Sequence, residues 1–251
     1  MKISPRVSVV IPAYNAGSVI ERAVLSVTSQ NFPIHEILVY DDCSSDDTRD
    51  VLGDLASKHQ HLVLMFGETN HGAGHARMEL LKRAKGEFIA FLDADDVWHD
   101  TKLQKQIELM ERTGAHLTYT GSKIVSSDGR VLGERRPPKS LSFSRLLFDN
   151  VISTSSAVVR NDLSGVREMP HIRRRQDYAY WIQLFQQNPN LKVLGLSEPL
   201  ITYYRNEGSL SSSPLRNFKG NFTMFREVAG YSVVSSALLT LTNAVFRLMK
   251  V

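Results

Sequence analysis

Three carboxylates crowd the end of an apolar run. In "GEFIAFLDADDVW", residues 86–98, Phe88–Leu92 gives way to Asp93, Asp95 and Asp96. A second cluster, Asp41 and Asp42, closes "EILVYDD". Carboxylates this close raise each other's pKa unless a cation or hydrogen bonds compensate. Hard oxygen ligands suit Mg2+ or Mn2+, which take one or two carboxylates plus phosphate oxygens. Asp93-x-Asp95 is therefore a candidate site for a divalent ion clamping a diphosphate. The Asp41–Asp42 pair could accept hydrogen bonds from a base or a ribose. Simpler readings compete. Such residues cap helices, as Asp46 and Asp100 are expected to do. A receiver domain also carries strand-end carboxylates, but expects a lone central Asp, a later strand-end Lys and about half this length. Two clusters at successive strand ends favour ligand chemistry over capping.

Other residues could act with them. In "NHGAGHAR", residues 70–77, Gly72 and Gly74 open a helix, a place suited to anions. Arg77 could neutralise phosphate or brace an aspartate. His71 and His75 lie four apart with no Glu arranged as in metalloproteases, and read as surface residues rather than zinc ligands. Asp177 follows three arginines, 173–175, and precedes "YAYW". It is a candidate general base, or else a carboxylate on a helix dipole. The arginines are a solvated surface or a clamp for a lipid diphosphate. Trp181 and Tyr180 either stack on a sugar or belong to the core.

These residues need a scaffold, and the first 130 residues spell one out. Apolar, β-rich runs at 7–12, 36–42, 62–66, 88–92 and 115–124 read as strands. Amphipathic stretches at 16–30, 44–59, 72–86 and 99–114 read as helices, with Gly86 and Gly114 as expected C-caps. Strand–helix alternation predicts a mostly parallel sheet covered on both faces. Ligands bind outside the carboxyl ends of such strands, which is where the aspartates fall. Beyond residue 124 the pattern loosens. Residues 126–140 read as loop, 142–151 and 176–187 as short helices, and 191–205 as strand broken at Pro199.

The charge is uneven. Residues 1–127 carry 13 Lys/Arg against 17 Asp/Glu, residues 128–177 carry 10 against 6, and residues 202–251 carry 6 against 2. The single cysteine, Cys43, excludes an internal disulfide and suits a reducing compartment. Residues 228–246 contain no charge, and Val233, Val234, Ala237, Leu238, Leu241, Val245 and Leu248 form one helical stripe between basic residues. That fits a helix lying in a membrane interface better than a span, or a helix packed on protein.

Taken in order, these motifs resemble the family 2 inverting glycosyltransferases over roughly residues 5–215, in particular those of bacterial exopolysaccharide, capsule and O-antigen assembly. "VSVVIPAYNAG", "EILVYDDCSSDDT", "NHGAGHAR", "KGEFIAFLDADDVW", "RRRQDYAYWIQLF" and "YYRNEGSLSS" carry the resemblance. Cys43 stands where the family usually has Gly, and Gln176 where it more often has Glu. The resemblance implies a single nucleotide-sugar-binding domain of glycosyltransferase A type, Rossmann-like, with a C-terminal helical tail. Residues 1–215 would be catalytic, with 1–124 the donor half and 125–215 the acceptor half, and residues 216–251 the tail. Ala13, Tyr14 and Asp42 would face the nucleobase, with Asp41 nearby and Pro12 also binding the donor. Gly72, Arg77, Asp93, Ala94 and Asp95 would hold the rest of the donor. Asp93, Asp95 and Asp96 would hold Mg2+ or Mn2+, and Asp177 would be the general base. The expected reaction moves a hexose or N-acetylhexosamine from a UDP-sugar to a lipid-linked saccharide at the inner face of the plasma membrane, with peripheral membrane association and no nucleic-acid partner. A nucleotidyltransferase would want a basic Gly-rich loop after the first strand, and "PAYNAG" has neither Lys nor Arg. A nucleotide-sugar binder without turnover is a further alternative, against which Asp177 in its motif argues.

Overall fold

The computed structural model describes residues 6–170, 172, 174–205 and 214–248, the side chains of 214–217, 247 and 248 excepted. Arg173, the segment from Asn206 to Ser213 and Lys250 lie outside the described residues.

The chain runs β1 (Val7–Ala13), α1 (Ile20–Thr28), β2 (Glu36–Asp41), α2 (Thr48–Lys58), β3 (Leu62–Phe66), α3 (Ala73–Arg83), β4 (Phe88–Phe91), β5 (Val97–Trp98) and α4 (Lys102–Thr113). Then follow β6 (Leu117–Ser126), β7 (Val131–Arg135), α5 (Phe143–Phe148), a 3-10 turn (Thr154–Ser156), β8 (Val158–Arg160), α6 (Gln176–Gln187) and β9 (Val193–Arg205). The end is α7 (Pro214–Thr223), a π-helical turn (Met224–Val228) and α8 (Val233–Leu248). One sheet runs in the order β3-β2-β1-β4-β8-β6-β9-β5, with β7 on the side of β6. The first four strands pair in parallel, as does the longest ladder, β6 with β9. Antiparallel β8 joins the two parallel regions.

Strand β1 shows why both faces are covered. Successive side chains of a strand alternate between faces. Val7, Val9 and Ile11 join the core made with α1, α2 and α4, while Val10 joins the core made with α3, α5 and α6. A strand buried on both sides must be apolar throughout, and every β1 side chain is buried.

Two expected features resolve differently. Gly114 does close α4 in a left-handed turn, φ 67°. Gly86 does not cap α3, which ends at Ala84. It lets the chain pass against β1, where a Cβ would lie 2.5 Å from the Ser8 amide nitrogen. The stretch 126–140 is not all loop, since β7 forms there as a mostly exposed edge hairpin on β6. Pro199 does not break β9 in two; it pairs with Gly121 at a register shift against β6, the kind of irregularity at which a strand tolerates proline.

Candidate active site

Because β1, β2 and β4 run parallel and adjacent, their carboxyl ends share one rim. The turn after β1 and the loop after β2 are laced into one wall there. Ser44 Oγ accepts from Asn15 N (2.8 Å), Asn15 Oδ1 accepts from Ser45 N (2.9 Å), and Thr48 Oγ1 accepts from Ala16 N (2.8 Å). Asp46 accepts from Gly17 N (3.1 Å) and from Thr48 N (3.1 Å), the first amide of α2. Asp100 caps nothing; its carboxylate pairs with His99 Nδ1 at 2.7 Å. Pro12 and Ala13 are buried in this wall, and Tyr14 stands exposed on it.

Asp41 and Asp42 are buried and fully engaged. Asp41 accepts from Arg49 Nε (2.7 Å), Ser44 N (3.2 Å) and the Ser44 hydroxyl. Asp42 accepts from the amides of His71 (3.1 Å) and Gly72 (2.6 Å). The helix start at Gly72, expected to meet a ligand anion, thus already meets a carboxylate of its own chain.

The cluster after β4 differs. Asp93 and Asp95 are partly exposed and Asp96 is buried. Asp93 N donates to Ser155 Oγ (3.1 Å), and Ser155 Oγ donates to Asp96 Oδ2 (2.5 Å). Asp96 Oδ1 is buried and closes no well-formed hydrogen bond, with the Tyr204 backbone near enough to offset its burial only weakly. Burial raises the Asp95 carboxyl, the Asp93 charge adds to it, and Arg22 and Arg77 only partly offset both. Burial, again with Asp93, lifts Asp96 well above the ordinary carboxylate range. This end of the sheet holds more negative charge than the protein compensates.

The buried guanidinium of Arg77 is the nearest cation, ion-paired to Asp93. Burial alone would lower its pKa, but the charges of Asp93, Asp177 and Asp95 outweigh burial and raise it. The charge of Asp177, from the first turn of α6, therefore acts on the same arginine as the carboxylates after β4. Asn150 Nδ2 reaches Asp177 Oδ2 in a long 3.4 Å contact. The side chain of Gln176, next to Asp177, packs over Gly74 where a Cβ would otherwise stand.

Residues 8–171 match the family described as Glycosyl transferase family 2. The chain belongs to that family. It is 35% identical over 225 residues to the putative teichuronic acid biosynthesis glycosyltransferase TuaG of Bacillus subtilis, covering 89% of this chain and 88% of that protein. It is 30% identical over 213 residues to the Escherichia coli UDP-Glc:alpha-D-GlcNAc-diphosphoundecaprenol beta-1,3-glucosyltransferase WfgD, covering 85% and 82%. Among solved structures, S. aureus TarS 1-349 in complex with UDP-GlcNAc superposes with a TM-score of 0.73 at 21% identity, over 97% of this chain and 73% of that one. The mannosyltransferase PcManGT of Pyrobaculum calidifontis, in complex with GDP-Man and Mn2+, gives 0.72 at 16%, over 99% and 75%. These two likenesses establish the glycosyltransferase A-type fold.

In this family 2 glycosyltransferase, the expected residues divide. Arg77, Asp93, Asp95 and Asp177 share one electrostatic neighbourhood, with Ala94 between the aspartates. Asp41 and Asp42 lie on the same rim, hydrogen-bonded to Ser44, Arg49 and the amides of 71 and 72. Tyr180 and Trp181 are core residues, buried around Phe91, with Tyr180 Oη donating to Val166 O (2.6 Å); neither is open to stack on a sugar. His71 and His75 pack against each other, ring centroids 4.7 Å apart. Two further residues belong to the site. Arg22 of α1 donates to Asp95 O (3.0 Å) and lies over the Tyr204 ring (3.8 Å). Ser155 bridges Asp93 and Asp96, and its carbonyl accepts from Trp98 Nε1 (2.8 Å). Nothing in "STSS" or in a helical Arg marks either in sequence.

Among the described residues, no three His, Cys, Asp or Glu side chains gather into a metal cage. Two open carboxylates with surplus charge nonetheless fit an ion that draws its other ligands from a diphosphate.

Proposed function

We propose that this glycosyltransferase moves a hexose or N-acetylhexosamine from a UDP-sugar to a hydroxyl of a lipid-linked saccharide, inverting the anomeric centre, at the inner face of the plasma membrane. The observation that carries the reading is the ion pair of buried Arg77 with Asp93, on a rim where the charges of Asp95 and Asp177 also act on that guanidinium. The diphosphoundecaprenol acceptor in the name of WfgD and the teichuronic acid of TuaG support the acceptor class.

In this reading Asp93 and Asp95 hold Mg2+ or Mn2+, and Asp96 contributes charge from behind them. Bound there, the ion supplies neutralisation of the departing diphosphate. Arg77 fixes Asp93 and so orients the donor side. Tyr14, exposed on the laced wall, offers a face to the nucleobase. Asp177 takes the proton of the acceptor hydroxyl. A direct displacement needs one such base, unlike a hydrolase with two working carboxylates.

The test is a panel of UDP-sugars with a synthetic lipid-diphosphate saccharide and Mn2+ or Mg2+, read by mass and by the anomeric coupling of the product. One donor should give a mass shift and inverted product. Asp177→Asn should lower kcat by about 10²–10⁴-fold with the donor KM little changed. Full turnover in Asp177→Asn, or pyrophosphate release from a nucleoside triphosphate, would overturn the assignment.

A further inference from the structure

Helix α8 is built inside out. Val234, Leu238, Leu241 and Val245 recur at helical spacing and stand 70%, 60%, 56% and 48% exposed. On its other side Ser236, Thr240 and Asn243 are buried. A helix on the surface of a globular protein normally does the reverse.

The buried polar side is satisfied, and this holds the helix in place. Thr240 Oγ1 donates to Ser236 O (2.7 Å) within the helix. Asn243 Nδ2 donates to Phe148 O (2.9 Å) and Tyr178 Oη (3.0 Å), while Asn243 Oδ1 accepts from Asn221 Nδ2 (3.1 Å). Tyr178 Oη donates in turn to Leu146 O (2.6 Å). Rolling α8 to hide its apolar stripe would strand these groups without partners, so the stripe is kept outward. The same node ties α8 to α6, where Tyr178 follows Asp177.

The surroundings indicate what covers the stripe. No charge interrupts residues 233–246, whereas residues 202–251 carry 6 Lys/Arg against 2 Asp/Glu. Lys219 and Arg226 are exposed on the elements packed against α8, beside a single exposed acid, Glu227. At 16 residues, α8 extends ~24 Å, and no helix among the described residues is long and apolar enough to cross a membrane. An exposed apolar stripe with exposed cations on the elements packed beside it matches the interfacial zone of an anionic bilayer.

We propose that α8 is a docking helix for an anionic phospholipid surface, held apolar side out by the Asn243 node. Docking then fixes the height of Asp177 above the bilayer that carries the acceptor. The inference deepens the lipid-linked acceptor reading and rests on it for its purpose, while its test needs neither donor nor acceptor.

The full chain is floated with phosphatidylcholine vesicles, with and without phosphatidylglycerol, and its sedimentation velocity is measured without lipid. Wild type should float with the anionic vesicles. Leu238→Asp with Leu241→Asp should weaken this about tenfold or more and leave the Tm unchanged, since both side chains are exposed. Failure of wild type to float, or undiminished floating of the double variant, overturns the proposal. So does a wild-type dimer that the double variant splits while neither binds vesicles, because the stripe would then be a subunit interface. If the variant loses vesicle binding but no UDP-sugar is transferred to any lipid acceptor, docking stands and the acceptor reading falls.

Discussion

Asp41 and Asp42 end one strand, and Asp93, Asp95 and Asp96 follow another, each next to β1 on the same rim. The protein treats the two groups in opposite ways. It supplies the first with Arg49, the Ser44 hydroxyl and the amides at 44, 71 and 72. It leaves the second with two raised carboxyls and two arginines, Arg22 and Arg77, that offset only part of the charge. A carboxylate whose charge is met inside the protein shapes the fold. One whose charge is only partly met is a candidate site for a cation from outside.

The largest effect should come from neutralising the uncompensated cluster. Asp95→Asn is expected to remove transfer by about 10²-fold or more in kcat/KM, measured with the active donor. It should not cost stability. The folded protein holds the protons of Asp95 and Asp96 to higher pH than the unfolded chain does. Their contribution is complete below the unfolded carboxylate pKa and is lost as pH rises through the folded values. Asp96→Asn keeps an oxygen for the Ser155 hydroxyl and escapes that loss. Its Tm should match wild type near about pH 4 and exceed it at neutral pH. A lower Tm at neutral pH would place this cluster in the same class as the other.

The compensated pair should respond the other way. Asp42→Asn leaves one acceptor oxygen for two backbone donors and turns an amide N–H toward the remaining one. An unsatisfied buried donor costs ~1–3 kcal/mol, and two conflicts of this kind should lower the Tm by about 5–10 °C in a chain of this size. Calorimetry at neutral pH checks this. Activity per folded molecule should fall much less than in Asp95→Asn; an equal fall would mean that Asp42 also meets the donor.

The difference between the clusters could not be read from sequence, where both are aspartates after apolar runs. Elements with local signals were legible. Helix α6 falls on 176–187 as expected, and β3 on 62–66, because apolar spacing and turn residues mark them. Strand β7 carried no alternating pattern, since both of its faces are largely open, and β5, of two residues, is too short to show one. In the site, Arg77, Asp93, Asp95 and Asp177 were legible as types within motifs. Arg22 and Ser155 were not, because what they do is set by contacts 73 and 59–62 positions away.

Lys102 offers a mirror-image test: a buried cation without a buried anion. Its ammonium lies 3.9 Å from the Trp98 ring centroid and makes no hydrogen bond. Burial holds its pKa well below the ordinary value. The unfolded chain therefore takes up a proton at higher pH than the folded protein. The penalty is fully present below the folded pKa and fades as pH rises toward about 10.4, the unfolded value. Lys102→Met should gain ~1 kcal/mol net at neutral pH, the lost cation–π contact offsetting part of the relieved desolvation. Melting curves from neutral to alkaline pH should show the gap closing upward; a gap that widens would mean that an acceptor serves the ammonium.

The smallest effect concerns the hinge of the compensated wall. Cys43 follows Asp42 with φ 63°, a left-handed backbone that costs a side-chain-bearing residue ~1–2 kcal/mol. Glycine relieves that strain but loses ~0.5–1 kcal/mol in backbone entropy on folding. It also gives up the 3.3 Å contact of Cys43 Sγ with Glu68 O. Cys43→Gly should therefore move the Tm by no more than about 2 °C. Cys43→Val keeps the strain and adds a β-branch, and should cost ~1–2 kcal/mol. Gly and Val variants of equal stability would show that the turn relaxes out of the left-handed region. Asp42 would then be held by the amides of 71 and 72 alone, without a fixed turn behind it.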